Sequence, residues 1–336
     1  MVERTSSAIA VAACFALGAS IAQADILWGV NGHPLTAYPG VPISQQLDLV
    51  VELKLKSYRV DVTHLTDLDR LGEIIAAAKA RELSVLPILI PPVDLKTDST
   101  DVLYAKARAF AEAAVSRFKA DVPVWEIGNE LENFAIIQPC EMRDDGTQYP
   151  CEWGPAGGVG KLDYVGARAG KVVAVLRGLS DGVHATDPKA RRALGSAGWG
   201  HTGIFDRLRD AGVEWDVSVW HMYGGDSEWA FKLLAAFGKP IWVTEFNHPF
   251  GSNKDGEEQQ AQGLEQIMVT LRKLAPRYGI EAAFIYELLD ETYWAPSFEA
   301  SMGLVQLRQN ANKTWILADR KIGFQAVRRT ISLGDN

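Results

Sequence analysis

Eight short apolar runs, each followed by a longer stretch of mixed polarity, constrain this chain more than any single motif. They are ILWGV (26–30), SYRVDV (57–62), LSVLPILI (83–90), VPVWEIGN (122–129), RRALGSA (191–197), WDVSVWHMY (215–223), PIWVTEF (240–246) and AAFIYELL (282–289). Runs that are apolar at nearly every position are strands buried on both faces, as in a parallel sheet covered by helices. Amphipathic segments lie between them. Ser44 is placed to cap one in which Leu47, Val50, Val51 and Leu55 share a face, and Leu103, Ala107, Phe110, Ala114 and Phe118 mark another. Eight alternations, with no repeat or linker, predict a single-domain (β/α)8 barrel over residues 25–336.

The first 24 residues stand apart. Glu3 and Arg4 are their only charges, and the apolar run Ala8–Ile21 leads into Ala22-Gln23-Ala24. That is the pattern of a cleaved export signal, and the run falls short of the ~20 residues that span a bilayer. The expectation is a secreted or periplasmic protein with no membrane contact after cleavage. Cys14 leaves with the signal, so Cys140 and Cys151 are expected to form one disulfide. A net charge of −8 argues against nucleic-acid or anionic-membrane partners, which require a basic face.

A barrel of this kind carries its chemistry at the C-terminal ends of its strands, and polar residues gather there. His33, His64, His201, His221 and His248 follow strand ends, as do Arg59, Asn129, Glu130, Tyr223, Glu245 and Glu287. Glu130 closes the fourth run and Glu245 the seventh, so the barrel brings two carboxylates to one pocket. Such a pair suits glycoside hydrolysis: one protonates the leaving oxygen while the other attacks the anomeric carbon or activates water. The roles need opposite environments. Glu245 stays ionised if Arg59 lies beside it and Tyr223 donates to it. Glu130, with Asn129 and aromatic neighbours, is expected to keep its proton. Asn129 is also placed to bond a sugar 2-hydroxyl. Glu126, deeper in the same run, reads as a buried structural partner.

These segments resemble the large clan of retaining (β/α)8 glycoside hydrolases that includes families 5, 10 and 39. WEIGNE is similar to the Asn-Glu motif ending the clan's fourth strand, WVTEF to its nucleophile strand, YRVDV to its strand-two arginine and HMY to its strand-six His-x-Tyr. Residues 302–328 are similar to its final loop and helix. VWEIGNELENF most resembles family 39 and related small barrels linked to bacterial exopolysaccharides. The resemblance implies Glu130 as acid/base and Glu245 as nucleophile, with Arg59, Asn129, His221 and Tyr223 in support. The clan's strand-eight tryptophan platform is absent from FIYELLDE, leaving Tyr286, Glu287 or Trp294 for that place, and the chain ends at its last helix without the β-sandwich usual in family 39 xylosidases.

The loops suggest the substrate. Leu131–Lys161 is long and holds Phe134, Tyr149 and Trp153; the segment after the eighth run holds Tyr293, Trp294 and Phe298. Aromatic faces there suit a sugar chain in an elongated cleft, and His33, His64, His201 and His248 stand as either sugar contacts or satisfied loop histidines. The expectation is an endo-acting enzyme on a polysaccharide. An exo-acting β-glycosidase such as a xylosidase, and a non-catalytic polysaccharide-binding barrel, remain open. GVNGHP offers His33 alone where metal-dependent barrels carry His-x-His, so no metal or cofactor is expected.

Overall fold

A computed structural model describes residues 25–225 and 227–334; the export signal and Cys14 lie outside the described residues. Eight parallel strands close into a barrel in sequence order: β1 (Leu27–Gly32), β2 (Ser57–Val62), β3 (Ser84–Leu89), β4 (Val124–Ile127), β5 (Arg191–Gly195), β6 (Val217–Tyr223), β7 (Ile241–Asn247) and β8 (Ile280–Ile285). Around them lie α1 (Ile43–Glu52), α2 (Leu68–Lys79), α3 (Thr100–Phe118), α4 (Gly166–Thr186), α5 (Gly203–Asp210), α6 (Glu228–Ala235), α7 (Gly256–Tyr278) and α8 (Ile322–Gly334). The (β/α)8 barrel expected from the alternation is therefore observed, with each predicted run supplying one strand. No helix among the described residues is long and apolar enough to cross a membrane.

Two details depart from the sequence reading. Helix α1 begins at Ile43 behind extended Pro42, with no side-chain cap, so Ser44 already lies inside the helix. The stretch after β8 is more than a loop and a helix. It carries an antiparallel pair, β9 (Val305–Gln309) and β10 (Trp315–Arg320), before α8.

The apolar residues divide by period. One face of each strand packs against the helices in the main core, through residues such as Tyr58, Val60 and Val62 of β2. The alternate face fills the barrel with Leu86, Ala193, Val217, Val219, Trp242, Ala282 and Phe284. Toward the C-terminal ends of the strands the filling turns polar. Asn31, Arg59, Glu126 and Thr244 are all buried there, a layer that supports whatever sits above it.

Candidate active site

Strand β4 ends at Ile127, and Gly128 turns the chain with φ +75°, a conformation that excludes most side chains. A Cβ at Gly128 would also come within 2.8 Å of Leu176. Glu130 itself takes the left-handed region at φ 49°, uncommon for a residue with a side chain and frequent at functional sites. The result aims its carboxylate across the barrel mouth. Oε1 lies 2.8 Å from Nδ1 of His221 on β6, and Asn133 donates to Oε2 at 3.3 Å. Glu130 is therefore paired with an imidazole, where the sequence suggested only Asn129 and aromatic rings.

Arg59 organises the floor. Its guanidinium is buried and donates from Nε and Nη2 to the two oxygens of Glu126, both at 2.7 Å. Nη1 donates to Glu245 Oε1 at 2.7 Å and to Asn31 Oδ1 at 2.6 Å, and Nη2 to Asn129 Oδ1 at 2.9 Å. Glu126 also accepts from Thr244 Oγ1 at 3.1 Å, which makes it the buried partner expected of it. Thr244 and Glu245 are neighbours on β7, yet both reach this cluster. The register shift between Val243 and Phe246 in the β7–β8 pairing breaks the alternation that would send them to opposite faces.

Glu245 receives a second donor, Tyr223 Oη at 2.5 Å, and its Oε2 lies 3.4 Å from His221 Nδ1. Burial alone would raise its pKa, but His221, Arg59 and the Tyr223 hydroxyl together hold it below the usual carboxylate range. Glu245 is thus ionised at neutral pH. The counterpart is His221: burial pulls its pKa down, but Glu245 and Glu130 raise it overall.

His33 and Tyr286 stand at the mouth's other side. His33 Nδ1 meets Asp61 at 2.6 Å, and its ring packs edge-on to Tyr286 at 5.7 Å. Burial would lower His33, yet Asp61 and two glutamates raise it to about 10. Glu287 lies behind these residues, wholly buried, and accepts from Tyr38 Oη at 2.6 Å; burial pushes its carboxyl well up. It offers no surface to a ligand in the pocket. Trp294 is exposed and packs on Tyr293 at 5.9 Å, outside the cavity. So of the three strand-eight candidates only Tyr286 lines the site.

The cavity holds about 270 Å³, lined by His33, Asn129, Glu130, Tyr223, Glu245 and Tyr286 together with Asp61, Trp199, Phe298 and Met302. Among the latter, Asp61 was legible as the inward position two residues after Arg59. Trp199 carried no such signal, because loop aromatics reveal no direction. The long loop after β4 contains the Cys140–Cys151 disulfide, but its Tyr149 and Trp153 pack edge-on to each other at 5.8 Å, outside the cavity lining. His201 is bound to Glu132 at 3.2 Å, and His64 and His248 also lie outside. A larger hollow of about 790 Å³ opens at the opposite end of the strands, beside Trp28 and Lys54; in this fold that end serves stability.

Two clusters have metal-like spacing: Glu130, His221 and Glu245, and His33, Glu287 and Glu291, with ligand atoms within 4.8 Å of one another. Arg59 and Tyr223 already serve the first cluster, and Tyr38 and Tyr293 the second. The chemical capacity of the site lies in its two facing carboxylates, one held ionised and one reaching into the cavity.

No protein-family model matches the chain, and no curated protein matches it in sequence. Solved structures do. A family 39 glycoside hydrolase from the gut symbiont Bacteroides cellulosilyticus WH2 is similar at 16% identity and TM-score 0.62, covering 92% of this chain. This chain spans 64% of that protein's length. A β-glucosidase from Thermotoga maritima, in complex with deoxynojirimycin, is similar at 12% identity and TM-score 0.64, covering 93% of this chain and 98% of its own. The virulence factor SghA from Agrobacterium tumefaciens, with its substrate analogue salicin, is similar at 10% identity and TM-score 0.60, covering 92% and 95%. The resemblance to the retaining clan, and to family 39 within it, is borne out as a likeness of fold.

Proposed function

We propose that this protein is an exported retaining β-glycosidase that cuts within a polysaccharide, using Glu245 as nucleophile and Glu130 as acid/base. The observation that carries the reading is the separation of the two carboxylates: an oxygen of each lies within 4.8 Å of the other. Retaining enzymes hold the pair about 5–5.5 Å apart, whereas inverting enzymes leave ~6.5–9.5 Å for a water.

In the first step Glu130 gives its proton to the glycosidic oxygen as that bond to the anomeric carbon breaks, and a Glu245 oxygen bonds to the same carbon. In the second, Glu130 takes a proton from water, whose oxygen displaces Glu245. Arg59 and Tyr223 keep Glu245 ionised and fixed in direction. His221 touches both carboxylates and positions them. Asn129, with its oxygen bound to Arg59, keeps its amide N–H groups for the sugar's 2-hydroxyl.

An exo-acting β-glycosidase is the second reading, favoured by the modest 270 Å³ of the cavity. A panel of bacterial exopolysaccharides and plant β-glycans, assayed for new reducing ends with Glu245→Gln alongside, tests both. Release by the wild type alone, with the β-anomer formed first, is expected. Long products mark internal cleavage and single sugars mark exo action. Equal release by the variant would remove Glu245 from the mechanism. Binding without cleavage by either protein would favour a non-catalytic barrel.

A further inference from the structure

The cavity does not end at Trp199. A second hollow of about 150 Å³ lies beyond it, and both Trp199 and Tyr223 wall the two spaces. Gly224 and Gly225 line this second space, and a Cβ at Gly225 would meet nothing within 4 Å. Its far wall is Trp229 at the start of α6, exposed and set edge-on to buried Trp220 at 6.0 Å.

The position of Trp199 is enforced from below. Gly198, at φ +80°, sits so close to β6 that a Cβ would come within 1.7 Å of the His221 carbonyl oxygen. On one flank the buried carboxylate of Glu132 accepts from the Ala197 amide, and on the other it meets His201. The backbone is clamped on both sides, yet the indole it carries is 67% exposed. An exposed indole on a clamped backbone, facing a trough that runs into a carboxylate pair, offers a surface to a flat apolar face.

We infer that this trough binds the sugar rings on the leaving-group side of the cleaved bond, with Trp199 and Trp229 stacking on their apolar faces. The assignment of side rests on the glycosidase reading. Glu130, as the acid, faces the leaving oxygen, and the trough runs from Glu130 on β4 along the ends of β5 and β6. His33, Asp61 and Tyr286 occupy the other side of the cavity. The occupant is thus the continuing chain of a β-glycan, and a substrate that fills the trough is cut internally.

The test compares the wild type with Trp229→Ala, Trp229→Phe and Trp153→Ala in two assays. One is retardation in native gels containing xylan, carboxymethyl cellulose or mixed-linkage β-glucan. The other is kcat/KM on the retained polymer set against 4-nitrophenyl β-glucoside and β-xyloside, whose leaving group is a single ring. Trp229→Ala is expected to lower the polymer value about tenfold more than the aryl-glycoside value, the loss of roughly one stacking contact, and to weaken gel retention. Trp229→Phe, which keeps an aromatic face beside Trp220, falls between, and Trp153→Ala moves neither readout. Equal losses on both substrates, or unchanged handling of the polymer by Trp229→Ala, overturn the inference, as does a wild type that no polymer retains. Retention that depends on Trp229 with no glycoside hydrolysed leaves the trough standing and removes the glycosidase reading. Hydrolysis of aryl glycosides with no Trp229 effect does the reverse.

Discussion

Replacing Arg59 by Met keeps an apolar stem in the barrel but removes five donor contacts at once: two to Glu126 and one each to Glu245, Asn31 and Asn129. Removing one member of a buried ion pair costs about 3–5 kcal/mol, because the other charge is left without compensation. Here two buried carboxylates lose the same cation, so the cost at neutral pH should reach the upper end of that range. A domain is stabilised by only about 5–15 kcal/mol in total. The sign of the pH dependence is the sharper test. In the wild type the Glu245 pKa is held below its ordinary 4.5, so its contribution is fully present above that value and is lost only as pH falls through the folded value. Without Arg59, burial, the largest influence and an upward one, is opposed only by His221 and Tyr223, and the carboxyl moves up. Stability missing at neutral pH then returns as pH falls, because the folded state takes up a proton more readily than the unfolded chain. Urea unfolding followed by tryptophan fluorescence at pH 7.5 and 5.5 should therefore show the variant's deficit shrinking on acidification while the Glu245 contribution in the wild type holds steady. Arg59→Met/Glu126→Gln, with one carboxylate fewer, should recover part of the loss. A deficit below about 1 kcal/mol, or one equal at both pH values, would refute the view that Arg59 compensates these charges.

Tyr223→Phe removes the hydroxyl donated to Glu245, a hydrogen bond to a charged acceptor worth about 1.5–3 kcal/mol. The acid limb of kcat/KM should move to higher pH and the plateau should fall roughly tenfold to a hundredfold; an unmoved limb would count against the assignment. His33, raised to about 10 chiefly by Asp61 against the pull of burial, lends stability that is full below about 6.5 and lost as pH rises through 10. His33→Asn should therefore lack the decline in Tm that the wild type shows between pH 8 and 10, and parallel curves would contradict this. The Cys140–Cys151 bond spans 11 residues of a loop. Cys140→Ser/Cys151→Ser should loosen that loop by up to about 3 kcal/mol, seen as faster amide exchange over 138–152 with the barrel strands unchanged.

The strands were legible because they obey one local rule. A segment buried on both faces has to be apolar throughout, and β2 and β5 begin where their runs begin. Strand ends were harder. The apolar run AAFIYELL carries past Ile285, where β8 stops, because Leu288 and Leu289 are buried by the segment after the strand and not by the sheet. That difference governs the site. Arg59, Glu126 and His221 lie within strands, where the period of two fixes the direction of a side chain, and each faces the interior. Glu287 and Trp294 lie beyond a strand end, where no period applies, and neither reaches the cavity. Trp199 was missed for the same reason, since its direction is set by Gly198 against β6, a contact between elements that no local pattern encodes. The His221 contact with Glu130 joins residues 91 positions apart and depends on the left-handed turn at Glu130, so Glu130's surroundings were misread.

The Arg59 cluster also bears on the order in which the molecule is built. Arg59, on β2, finds its partners on β1, β4, the turn after β4, and β7. A chain delivered N-terminal end first presents Arg59, then Glu126, and only much later Glu245. During that interval Glu126, with Asp61 close by on β2, faces the guanidinium before Glu245 is present. Glu245 then adds a further negative charge, held by Arg59 together with Tyr223 and His221 of β6. The two carboxylates face each other once β7 has joined the sheet, one strand before β8 pairs with β1 and closes the ring.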